Sequence, residues 1–246
     1  MNFAMSKDNK EPITHTTQPI YVGSSVIGMK YKNGVIIATD TRLNYGSMCK
    51  LVNIEDRIQQ LTPRTIIGYS GEYSDLQETS RQLHALALSD TLEGSPCFGP
   101  VEIANYLASL HYYKRNKMNP YLNSVVTGGV NWNGEMVLMN IDPFGTLLEA
   151  NYFTTSMAHY FCNTLIKPQY PKDPNEMTKE KAMHLLNQCF EVLFYRHTMA
   201  GNEIKYATIE KDGDDIKYGE GKFTVESKWN YDKFKNQANE AHYLTC

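Results

Sequence analysis

The chain has 246 residues, of which 41% are hydrophobic and 21% charged, and its formal net charge is −3. That length and apolar fraction suffice for one large domain whose core needs no disulfide or metal staple. The near-neutral balance, with no long block of like charge, argues against a nucleic-acid footprint, and no apolar run approaches the roughly 20 residues that cross a bilayer. The five cysteines, Cys49, Cys97, Cys162, Cys189 and Cys246, are odd in number and lack any C-x-x-C pair. They read as free thiols of a reducing compartment, and Cys246 lacks a prenylation context.

Residues 1–19, MNFAMSKDNKEPITHTTQP, are polar, broken by proline and without an apolar h-region, so they read as a disordered leader rather than a secretory signal. Residues 22–42, VGSSVIGMKYKNGVIIATDTR, read as two strands joined at Asn33-Gly34. The second, Val35-Ile36-Ile37-Ala38, is apolar without alternation, which suggests cover on both faces. An irregular stretch from Leu43 to Arg57, turning at Tyr45-Gly46-Ser47, precedes a strand at 65–68. Ser74 and Gln77 have the spacing of a capping box, and Leu76, Leu83 and Leu86 follow at helical intervals to Asp90. Beyond a Gly/Pro-rich loop over 91–100, a second helix fits 100–116. Its buried face is expected to hold Ile103, Tyr106, Leu107, Leu110 and Tyr113, with Lys114 and Arg115 in the last turn.

Strands return at 124–130, where Gly128-Gly129 suggests close backbone approach or a bulge, and at 136–139 after the Asn133-Gly134 turn. A helix is expected from near Ser156 to before Pro168. A clearer one spans 178–196, with Ala182, Leu185, Cys189, Val192 and Leu193 as its buried stripe. Strands at 204–209 and 216–218 close the pattern. Runs of strands separated by helix pairs predict an α+β fold, a four-layer αββα sandwich of two antiparallel sheets flanked by helices.

The chemistry-bearing motifs are sparse. The seven histidines fall at no metal-ligand spacing, and neither a G-x-S-x-G elbow nor a glycine-rich phosphate loop occurs. Tyr112-Tyr113-Lys114-Arg115 reads as a helix end rather than a nucleic-acid patch. No cofactor, metal, nucleic acid or membrane is therefore expected.

What remains is the opening hairpin. Its GVIIATDTR, then YGS, then TIIGYSG before a helix, resemble in that order the beta-type subunits of the 20S proteasome, over nearly the whole chain after residue 16. The resemblance implies the N-terminal nucleophile hydrolase fold. In catalytic members the hairpin opens on a threonine whose own α-amine accepts its proton, a lysine stabilises the alkoxide, and a glycine-bearing turn binds the oxyanion. On that mapping the nucleophile position is Ser24, preceded by Gly23. The acid is Asp40, followed by Arg42, the lysine position is Arg57, and the oxyanion-turn glycine is Gly71. The family's Arg-Asp-x-x-Ser-Gly becomes Arg196-His197-Thr198-Met199-Ala200-Gly201, and its Gly-Ser-Gly becomes Thr155-Ser156-Met157.

A guanidinium cannot shed a proton near neutrality, and members of a catalytic unit do not act independently. The expectation is therefore a non-catalytic member with no catalytic residues, and with Ser24, Asp40, Arg57, Ser156, His197 and Ala200 as degenerate positions. The alternative is an active peptidase of the same class using Ser24.

Lys117-Met118-Asn119-Pro120, Thr16-Thr17-Gln18-Pro19 and Trp229 resemble the type-seven beta position. That resemblance implies a leader over 1–15 removed by cleavage before Thr16, a domain over 16–224, and a tail over 225–246 reaching a neighbouring subunit through Trp229, Tyr231 and Phe234. The implied partners are the other alpha and beta subunits of a 28-subunit particle with seven-membered rings, and unfolded polypeptide in its chamber. The implied location is cytoplasm and nucleus.

Overall fold

The computed structural model describes residues 17–46, 49–94, 98–211 and 216–222. The position of Thr16, the 1–15 leader and the tail anchors Trp229, Tyr231 and Phe234 lie outside the described residues.

The opening strands are β1 (Tyr21–Gly23), β2 (Val26–Tyr31), β3 (Gly34–Asp40), β4 (Leu43–Tyr45), β5 (Cys49–Leu51), β6 (Ile58–Thr62) and β7 (Thr65–Glu72). Helices α1 (Tyr73–Leu92) and α2 (Pro100–Asn116) follow. Next come β8 (Asn123–Val130), β9 (Met136–Ile141), β10 (Leu147–Glu149) and β11 (Tyr152–Thr154). Helices α3 (Met157–Phe161), α4 (Asn163–Gln169) and α5 (Lys179–Arg196) lead to β12 (Glu203–Glu210) and β13 (Lys217–Lys222). One sheet of eight strands runs β10-β9-β8-β7-β1-β4-β5, with β6 also on β7. A second, of five strands, runs β11-β2-β3-β12-β13. Every pairing is antiparallel.

Three hydrophobic cores separate four layers, as the element order predicts. Between the sheets lie Val26, Val35 and Ile37 against Ile66, Val126 and Leu138. Outside the larger sheet, Leu76, Leu83, Ile103 and Leu107 cover Ile67, Tyr69 and Val125. Outside the smaller one, Leu185, Cys189, Phe190 and Leu193 cover Ile27, Met29, Ile36 and Ile204. Strand β3 shows why its sequence does not alternate. Val35 and Ile37 face the other sheet while Ile36 and Ala38 face α5 and its neighbours, so both faces are dry. Gly128 and Gly129 serve close approach: a Cβ on Gly129 would come within 2.1 Å of the Arg64 carbonyl oxygen, and one on Gly128 within 2.8 Å of Val35.

Several local expectations are corrected. The hairpin turn is Lys32-Asn33, because Tyr31 pairs with Gly34. The stretch from Leu43 to Arg57 is not wholly irregular, since β4 and β5 pair within it. Helix α1 starts at Tyr73, capped by the Glu72 carboxylate rather than by Ser74. That cap is stronger, since an ionised oxygen faces the N–H groups and dipole of the first turn. On α2, Tyr113 is exposed and His111 takes the buried place. Tyr113 lies about 120° round the helix from Leu107, whereas His111 lies about 40° from it. The helix expected from Ser156 breaks at Cys162 into α3 and α4, and Pro168 lies inside α4, in its last turn, where it forfeits a single helical bond.

Candidate active site

The segment ahead of Ser24 is woven into the larger sheet. β1 pairs with β4 through Tyr21↔Tyr45, Val22↔Asn44 and Gly23↔Leu43, and with β7 through Val22↔Glu72 and Gly23↔Gly71. The Glu72 carboxylate accepts from the Ile20 amide and, at 3.2 Å, from the Tyr21 amide. Ile20 in turn accepts from the Gly46 N–H at 3.1 Å. The Tyr21 and Tyr45 rings pack with centroids 4.9 Å apart. The edge of β7 at Gly71, where the resemblance places the oxyanion turn, is thus occupied by the chain's own β1.

Ser24 and Ser25 cross from this sheet to β2 in the other, and both are buried. Ser24 has an amide nitrogen where a free α-amine would be needed as base. Beneath it lies Arg57, fully buried, just before β6. Its Nη1 meets Asp40 Oδ1 at 2.6 Å and the Asp40 carbonyl at 2.9 Å. Nη1 also donates to the Arg42 carbonyl at 3.4 Å, and Nε donates to that of Tyr69 at 3.3 Å. Nη2 donates to the carbonyls of Ser24 and Ser25. Among the described residues, none of its N–H groups reaches Ser24 Oγ. Gly23 makes room for this side chain, because a Cβ there would lie 2.5 Å from Arg57 Nε.

Asp40 closes a second link. Its Oδ2 accepts from the Gly201 N–H at 2.6 Å. Burial holds the Asp40 carboxyl above its usual range, against the opposing pull of Arg57, the Gly201 N–H and Arg42. Arg42 Nη1 donates to the Ala200 carbonyl at 2.8 Å, and Asn44 Nδ2 to that of Met199 at 2.8 Å. The end of β3 and the start of β4 therefore tie down the loop that follows α5. Its first residue, His197, brings Nδ1 to 3.5 Å from Ser24 Oγ. Burial lowers the His197 pKa, and the charge of Asp40 offsets part of that.

Five of the six positions that the resemblance singles out are thus brought together: Ser24, Asp40, Arg57, His197 and Ala200. Ser156 is not. Its side chain is exposed, its backbone has φ of 54°, and it makes no capping bond to α3. Ser25 does that work instead, its Oγ accepting from the Ala158 N–H at 2.9 Å. Thr155 Oγ1 accepts from Val26 N–H at 2.9 Å beside it. Ser25 and Asn44, and the role of Thr155, escape the sequence because these side chains face backbone groups, which no residue pattern displays. The second hydroxyl of the Ser24-Ser25 pair is the one available signal.

A hydroxyl held where two face-to-face sheets meet, with an acid ending the adjoining hairpin and helices outside both sheets, defines the N-terminal nucleophile hydrolase architecture. The chain belongs to the proteasome subunit family, whose family model matches residues 20–209. It is 33% identical over 219 residues to "Proteasome subunit beta type-4" of Xenopus laevis, covering 89% of this chain and 88% of that one. The type-4 protein of Arabidopsis thaliana is 32% identical, covering 92% and 89% respectively. "Proteasome subunit beta type-7" of Saccharomyces cerevisiae is 30% identical, covering 86% of this chain and 82% of the yeast protein.

Proposed function

We propose that the chain is a non-catalytic beta-type subunit of the 20S proteasome core particle, in the ring position of the type-4 and type-7 relatives. Its role is architectural: it closes a seven-membered ring, walls the chamber in which unfolded polypeptide is degraded, and braces neighbouring subunits. It works with the other alpha and beta subunits of a 28-subunit particle, in cytoplasm and nucleus. Cleavage before Thr16 and a C-terminal tail gripping a neighbour are part of this reading.

The observation that carries inactivity is the placement of β1. With Tyr21–Gly23 paired between β4 and β7, the segment ahead of Ser24 is built into the sheet and the oxyanion edge is filled. Arg57 adds to it, because its donors are spent on carbonyls and on Asp40. The test is intact mass and N-terminal sequencing of the subunit from assembled particles, with an electrophile that requires both a hydroxyl and an α-amine. Residues through Gly23 should be retained and Ser24 unlabelled. A chain beginning at Ser24 and carrying label would sink the reading.

The Ser24–His197 contact favours a second reading, an active peptidase with the imidazole as base. At 3.5 Å the pair is wider than the 2.6–3.2 Å of a working nucleophile and base. This reading would be supported if a fluorophosphonate labelled Ser24 and the label were lost in His197→Ala.

A further inference from the structure

Strand β11 ends the five-stranded sheet and pairs with β2 on one side only. The Lys30 N–H donates to the Asn151 carbonyl at 2.8 Å, and the Thr155 N–H to that of Val26 at 2.9 Å. Backbone groups alternate along an antiparallel ladder, so Phe153 faces β2 while Tyr152 and Thr154 direct N–H and C=O outward. Among the described residues these outward groups meet no partner. They open into a cavity of about 520 Å³, bounded opposite by Asn163, Lys167, Tyr170 and Lys172. The wall is fixed in place: Tyr170 Oη donates to the Lys30 carbonyl at 2.6 Å and to that of Asn151 at 3.2 Å.

The charged side chains that line this groove are all basic. Lys167 and Lys172 are exposed, and among the described residues neither forms an ion pair. His159 is the third basic side chain of the lining, which contains no carboxylate. Asp173 adjoins Lys172 outside the lining; its Oδ1 accepts from the N–H and Nδ2 of Asn175 at 3.0 and 2.8 Å, and its charge is felt at the Tyr170 hydroxyl. A bare edge is ordinarily blunted by charge or proline on the strand itself. β11, Tyr-Phe-Thr, has neither. Its lysines stand across the groove, where they would face an incoming segment and not obstruct the ladder.

We propose that this groove takes an extended, carboxylate-bearing peptide segment of a partner protein, added to β11 as a further strand. The main chain of Tyr152 and Thr154 would set its register, and carboxylates on its alternate positions would meet Lys167 and Lys172. Nothing in this depends on whether Ser24 is active or on which ring position the chain takes.

The test uses the full chain and a short fluorescein-labelled peptide alternating glutamate and valine, read by fluorescence anisotropy. Saturable binding is expected, weakened about tenfold when Lys167→Glu and Lys172→Glu are combined, and weakened by added salt. Thr154→Pro removes one outward donor without touching the β2 ladder, and should abolish binding while the circular dichroism spectrum is unchanged. An N-methylated version of the peptide probes the same bonds with the protein unaltered, and should not bind. The proposal is overturned by no binding, by equal binding of a lysine–valine peptide, or by indifference to N-methylation. Self-association abolished by Thr154→Pro would assign the edge to a second copy and overturn it as well.

Discussion

Arg57, which the resemblance places at the lysine position of catalytic members, has the surroundings of a brace. It joins carbonyls from the β1–β2 crossing, the end of β3 and β7, and it neutralises Asp40 in a site without solvent. Arg57→Lys would supply a single nitrogen in place of that fork, leaving carbonyls unpaired at about 1–3 kcal/mol each. We expect a lower urea midpoint for the variant and no gain of peptidase activity. A gain would mean that a lysine amine can still reach Ser24 Oγ. Asp40→Ala should cost more, about 3–5 kcal/mol, because it strands a buried guanidinium. Gly23→Ala belongs with them: its methyl would push Arg57 aside, so its effect and that of Arg57→Lys should be less than additive in a double-mutant cycle. That position 57 holds arginine where the resemblance expects lysine was legible in the sequence. Its bracing role was not, because its partners come from segments scattered between residues 24 and 69.

At the scale of elements, the informative piece is β1. Three residues show no period, so the sequence displays a leader running into a hairpin and gives no hint that Tyr21–Gly23 form a strand of their own. Its structure comes from context, from two neighbours and the carboxylate of Glu72. That carboxylate performs two tasks: it caps α1 at the Ser74 N–H and holds the amides of Ile20 and Tyr21. Glu72→Ala removes both, and hydrogen bonds to a charged group are worth about 1.5–3 kcal/mol each. Chymotrypsin should then cut after Tyr21 in the variant under conditions where the parent chain resists, with mass spectrometry locating the cut. Equal resistance would mean that ladder pairing alone holds the strand. The long helices α2 and α5 were legible almost to the residue, since their stripes span many turns. The segment 156–169 was not, because two short helices separated at Cys162 share the composition of one.

The whole molecule depends on four layers staying in register, and the order of strands and helices was enough to foresee them. Sheet order was not foreseeable: nothing local says that β1 enters between β7 and β4. The same layering hides an acid-sensitive point. His111 on α2 is buried between helix and sheet, its Nδ1 2.9 Å from the Asp142 carbonyl, its ring 5.6 Å from that of Tyr121, and its Nε2 without a partner among the described residues. Burial lowers its pKa, and the Asp142 carbonyl and carboxylate only partly oppose this. In the unfolded chain the imidazole takes up a proton near its ordinary value of about 6.5. In the folded chain it does so only at lower pH. Between those two values the unfolded state binds more protons, so stability is fully present above the ordinary value and falls as pH drops below it. His197 is shifted in the same direction and adds to the slope. His111→Asn keeps a donor for the Asp142 carbonyl and cannot titrate. Thermal unfolding of the full chain from neutral to mildly acidic pH should therefore show a shallower loss of midpoint in this variant than in the parent. Parallel curves would mean that helix α2 admits water to His111, and that the acid sensitivity arises at His197 and the loop beyond α5.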